Sequence, residues 1–152
     1  FWMRVSVHAA EMTLYYFTTS ARRFFLSYHT YSGGRFDFDT PGNNFNTYTY
    51  PTASALNQWK HLAIVRTSDG TNFFKFFIDG TLVDEWGSYA EDIQSSGTLY
   101  LFGYSSGAGI NGLVDNIRIS KGVARYTATF NPPDDYSAPR IGKRKTNWFF
   151  FF

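Results

Sequence analysis

Cysteine is absent from this 152-residue chain. Disulfide staples, thiolate metal sites and a cysteine nucleophile are therefore excluded. Charge is sparse: 14 Lys and Arg against 12 Asp and Glu leave a net +2. A nucleic-acid reader concentrates basic residues on one face. The one basic cluster here is Lys143, Arg144 and Lys145, which reads as a solvated tail, so no nucleic-acid partner is expected. No apolar run approaches the roughly 18 residues of a membrane span, and no signal peptide is visible, so no membrane insertion is expected. No segment carries apolar residues at 3.6-residue spacing over the length of a helix.

Aromatic residues, by contrast, are plentiful: 17 Phe, 11 Tyr and 4 Trp, or 21% of the chain. With 43% of residues apolar, there is enough surface to bury against the entropy of ordering, which excludes a disordered chain. The length suits one domain with one core. Aromatic and β-branched side chains favour a pleated, half-buried surface, so composition alone leans to β.

Alternation confirms that lean, because successive side chains of a strand point to opposite faces. Strands are expected over residues 2–8, 12–18, 22–30, 35–40, 45–50, 59–67, 72–78, 81–86, 98–104 and 112–120. In residues 35–40, Phe36 and Phe38 face inward and Arg35, Asp37 and Asp39 outward. In residues 59–67, Trp59, His61, Ala63 and Val65 share one side, and Leu62 and Ile64 the other. Asp69-Gly70 and Asp79-Gly80 are hairpin turns between β runs. Residues 87–97 form a polar loop with room for one helical turn. About ten short strands with no helix between them describe an antiparallel sandwich. The chain opens on Phe1 inside a strand-like pattern, as though residues preceded it. Residues 1–133 are expected to form the domain and residues 134–152 an irregular tail.

The second half carries a more specific pattern. Trp59-Lys60-His61-Leu62-Ala63-Ile64-Val65-Arg66, then Asp69-Gly70, then Phe77-Ile78-Asp79-Gly80, resembles the central hairpin of laminin G-like domains. Gly112-Leu113-Val114-Asp115-Asn116-Ile117-Arg118-Ile119 is similar to their closing strand. Lys121-Gly122-Val123-Ala124-Arg125-Tyr126 with Phe130-Asn131-Pro132-Pro133 resembles the ending of such domains in tailed-phage and marine-virus virion proteins. The resemblance implies an all-β, two-sheet jelly-roll sandwich of the concanavalin A-like kind, whose usual opening strand would precede Phe1. Beside it, the residues themselves give Trp59 and Phe77 to the core and let Arg125 and Tyr126 tuck the tail across a sheet.

Concanavalin A-like folds include glycoside hydrolases, which need two carboxylates roughly 5–9 Å apart across the scissile bond. On a strand this calls for acidic residues at alternate positions, and Asp37 and Asp39 are the close candidates; Asp84-Glu85 and Glu91-Asp92 are adjacent and face opposite ways. No G-x-S-x-G elbow occurs, and His8, His29 and His61 sit in strand patterns, where packing or surface roles are commoner than catalysis. Asp37-Phe38-Asp39-Thr40-Pro41-Gly42-Asn43 resembles a calcium-holding element of legume lectins, which implies a metal at Asp37, Asp39 and Asn43. The plainer reading of those residues is a solvated strand edge running into a turn. Glycan contacts would come from Asn43, Tyr89, Tyr104 and Asn111 near loops, aromatic faces stacking on sugar rings and amides bonding hydroxyls. Trp148, Phe149, Phe150, Phe151 and Phe152 would serve as an interface anchor.

The expectation is a non-enzymatic, virion-associated structural or adhesion module, in a virion or extracellular setting. It would have no cofactor other than calcium. Its partners would be other virion proteins, copies of itself or a host-surface glycan. A carbohydrate-binding domain of a secreted protein stands second and a glycoside hydrolase third.

Overall fold

The computed structural model describes residues 1–6, 11–18, 23–29, 34–40, 44–50, 56–68, 72–86, 98–103 and 109–133. Among them are ten strands and no helix: β1 (Trp2–Val5), β2 (Glu11–Thr18), β3 (Arg23–His29), β4 (Arg35–Thr40), β5 (Asn44–Thr49), β6 (Trp59–Ser68), β7 (Asn72–Ile78), β8 (Thr81–Trp86), β9 (Thr98–Leu101) and β10 (Gly112–Asp115). They form two five-stranded sheets, ordered β10-β1-β6-β7-β8 and β5-β4-β3-β2-β9. Every strand pairing within them is antiparallel. This is the two-sheet antiparallel sandwich that the alternation implies.

The core lies between the sheets. The first sheet contributes Met3, Val5, Leu62, Phe74, Phe76, Ile78 and Trp86, and the second Leu14, Leu26, Tyr28, Phe36 and Phe38. Aromatic rings knit the two layers. Phe36 meets Phe76 edge-on at 5.1 Å, and Phe38 stacks on Trp86 at 4.3 Å. Such pairs add to the burial of their large apolar area. The Trp86 indole N–H is satisfied by Asp84 Oδ2 at 2.7 Å, which lets the ring stay buried.

Turn chemistry holds where it is described. Asp79 and Gly80 both take positive φ, 50° and 78°, closing the β7–β8 hairpin. The Asp69-Gly70 turn lies outside the described residues. Gly112 opens β10 because a Cβ there would fall 2.1 Å from Arg4 O. Only glycine lets the two backbones approach so closely.

Four expectations change. The strand expected over residues 112–120 stops at Asp115. Asn116 turns to φ 50°, and its N–H is taken by Asp115 Oδ1 at 2.7 Å, a local bond that competes with the ladder. Beyond it Ile117 and Ile119 are exposed. The strand over 98–104 is likewise short, ending before Phe102, which has φ 57°. Trp59 is only half-buried and stands outside the core. It faces away from the second sheet, paired with Arg4, while Leu62 on the opposite face of β6 fills the core. Phe77 is fully buried, but on the outer face of the first sheet rather than between the sheets.

That outer face is covered by the segment after β10. Phe130 N–H donates to Gly80 O at 3.0 Å, and the Trp2 indole donates to Pro133 O at 2.9 Å. Tyr126 stacks flat on Phe130, ring centres 3.6 Å apart, so the tuck expected of Tyr126 is present. Arg125 instead stays exposed and bonds Ser120 Oγ. Residues 126–133 thus form a strap over Trp2, His61 and Phe77.

Candidate functional site

The second sheet turns its other face away from the core, and strand register gathers polar side chains there. Ser27 on β3 stands opposite Asp37 on β4, which stands opposite Thr47 on β5; His29 stands opposite Arg35. Alternation puts Asp37 and Asp39 on this face, as expected of β4. They are not solvated, however: each is 1% exposed, and β4 is an interior strand rather than an edge. Burial of two acidic side chains requires hydrogen-bonding partners, because an uncompensated buried charge is costly.

Asp37 has those partners. Its Oδ2 accepts from Arg35 Nε at 3.1 Å, lies 3.0 Å from the other guanidinium contact, and is 2.9 Å from His29 Nε2. Its Oδ1 accepts from Thr47 Oγ1 at 3.0 Å. A carboxylate offers about four lone-pair directions, so Asp37 has little capacity left for a substrate proton. Asp37→Asn should strip one charge from this network while keeping its shape. The expected cost is about 2–4 kcal/mol, read as a lower denaturant midpoint; an unchanged midpoint would show that the network adds nothing to the fold.

Ser27, His29 and Asp37 resemble the membership of a nucleophilic triad, yet the connectivity differs. Such a relay needs the hydroxyl on one ring nitrogen and the carboxylate on the other. Here Ser27 Oγ and Asp37 Oδ2 both meet His29 Nε2, at 2.8 Å and 2.9 Å. A ring held this way cannot take the Ser27 proton on one nitrogen while Asp37 orients it from the opposite one. The sequence pattern does not single out Ser27 and Thr47, and it names His29 and Arg35 without linking them to Asp37. Their signal exists only once the register of β3, β4 and β5 is known.

For calcium, six to eight oxygen ligands would have to converge. An ion at Asp37 would have to displace Arg35, and among the described residues no group of three His, Asp or Glu side chains is disposed to hold a metal. Asp37 therefore fits the ion poorly. Asn43 lies outside the described residues, as do Tyr89 and Tyr104 and the aromatic run Trp148 to Phe152. Asn111 is described: it is exposed just before β10, and its carbonyl accepts Ser6 N–H at 2.9 Å. The structure brings Asp37 and Asp39 to one face of β4 and places Asn111 at a terminus of the other sheet.

A second buried ring lies under the strap. His61 is 3% exposed and stands edge-on to Trp2 at 5.3 Å and Phe130 at 5.6 Å. Among the described residues its Nδ1 has no hydrogen-bond partner. Burial is the largest cause that pulls its pKa down from 6.5 to about 4, and Asp79 opposes. The family model of a laminin G-like group, described as the concanavalin A-like lectin/glucanases superfamily, matches residues 1–127. No curated protein and no solved structure matches the chain.

Proposed function

We propose, from the premise that this chain belongs to the concanavalin A-like lectin/glucanases superfamily, that it is a carbohydrate-binding or structural module without catalytic activity. The observation that carries the second half is the commitment of Asp37. Asp37, one of the two candidate carboxylates, is already bound by Arg35, Thr47 and His29. A glycosidase needs a carboxyl free to give a proton and another free to attack or activate water. Rigid sandwiches of this kind carry recognition in their loops, which vary without disturbing the core.

The finer reading is display on a virion, with attachment to a host-surface glycan or assembly with neighbouring particle proteins as the task. It rests on the resemblance of the segment from Lys121 to Pro133 to the endings of virion laminin G-like domains, and on the strap that this segment builds across the first sheet. A glycan-binding domain of a secreted protein is the second reading, supported by exposed Asn111 beside β10.

The test is a glycan-array screen of the whole chain, run with calcium and again with EDTA. Specific binding is expected, unchanged by EDTA, with the melting temperature also unchanged. Binding lost in EDTA would restore a calcium site. A folded chain that binds no glycan would leave the structural role, and measurable hydrolysis of any arrayed glycan would overturn the non-catalytic reading.

A further inference from the structure

We propose that residues 126–133 are an acid-released strap, with His61 as the group that senses the proton. The argument begins with how lightly the strap is held. The sheet beneath it is secured by continuous ladders, β1 with β6 and β10, and β6 with β7. Among the described residues, the strap is held by the Phe130–Gly80 main-chain bond, the Trp2–Pro133 bond and the packing of Tyr126 and Phe130. Thr127, Ala128, Thr129 and Asn131 are exposed. Segments with few buried contacts and exposed backbone open locally at a lower free energy than ladders do.

His61 is the titratable side chain placed where that opening matters. Phe130, Tyr126 and Trp2 surround its ring, and Phe77 packs on Phe130 beside it. The charged groups near it come from several elements. Asp79, following β7, takes the His61 main-chain N–H at 2.9 Å and is itself paired with Lys60 at 2.8 Å. Asp115 stands across β1 from it, opposite Trp2, and Lys75 along β7 is paired with Glu85. Arg125 of the strap is turned to Ser120. Among the described residues no acceptor meets Nδ1, so a proton there would be buried against aromatic rings without a hydrogen bond. Lifting the strap hydrates it.

The closed strap holds His61 neutral, and the open strap lets it take up a proton. Closure is therefore at full strength above the ordinary histidine pKa and weakens as pH falls from 6.5 towards 4. With those two values, opening becomes about twentyfold more favourable between pH 7 and pH 5. The opening bares Trp2, His61 and Phe77, an aromatic surface that is shut at neutral pH.

Amide hydrogen exchange on the whole chain tests this, corrected for the intrinsic pH dependence of exchange. The Phe130 amide should lose about twentyfold of its protection between pH 7 and pH 5, while amides of β3 and β4 keep theirs. His61→Phe retains a ring and cannot titrate, so it should abolish the loss. Equal loss in His61→Phe, or simultaneous loss across every strand, overturns the proposal. Should that variant not fold, the ring titration of His61 in the unaltered chain decides: a pKa near 4 is expected, and one at or above 6.5 overturns it.

Discussion

Replacing Phe76 with alanine is expected to cost about 3–5 kcal/mol, the range for deleting a fully buried aromatic ring. Phe76 has no exposure and sits where the sheets meet. It contacts Phe36 at 5.1 Å from the second sheet, Tyr48 at 6.1 Å and Trp86 at 5.4 Å. These neighbours are rings on separate strands, each fixed by its own ladder, so they cannot close over the vacancy. For a domain of this size the loss corresponds to a fall in melting temperature of about 10 °C or more. A fall of only a degree or two would mean that Phe76 is not the contact between layers described here.

Gly80→Ala is the second large effect, from a single added carbon. Its Cβ would fall 1.9 Å from Phe130 O, and the residue must also hold φ at +78°. A non-glycine residue at that φ costs about 1 kcal/mol, and removing the strap adds the burial of Phe130, for a total of about 2–4 kcal/mol. The contact is with backbone, so no rotamer change relieves it. The signature is regional: strap amides should lose protection before those of β3 and β4. Uniform destabilisation, or none, would contradict the seating of Phe130 on Gly80.

The strands were largely legible because period two is a local property. Residues 35–40, 72–78 and 81–86 begin and end where alternation and turn residues place them. The alternation of Leu62 and Ile64 against His61 and Val65 also holds, but the core lies on the Leu62 side and not on the side of Trp59. What alternation cannot say is what covers the second face. Thus Asp37 and Asp39 read as solvated and are buried, and Phe77 reads as core and lies beneath the strap. Trp59 reads as core from its size alone, yet faces away from the second sheet. The end of β10 depended on a backbone turn at Asn116 that hydrophobic pattern does not encode. The polar cluster is half legible: Asp37 and Asp39 read as a pair, while Ser27, His29 and Thr47 join Asp37 only through register. Sequence shows which residues share a strand face, but not which strand comes alongside.

The placement of β1 bears on how the chain reaches this state. Both neighbours of β1, β6 and β10, are synthesised after it, β6 beginning at Trp59 and β10 at Gly112. As the chain emerges from a ribosome, Trp2, Met3 and Val5 have no native strand to pair with until more than fifty residues have followed. The β6–β7–β8 meander, closed by short local connections, can form without waiting for β1. Pairings so distant in sequence slow folding and leave apolar strands exposed in the interim. During synthesis, β1 therefore waits unpaired while the meander forms, and its capture is expected to be a late step of folding.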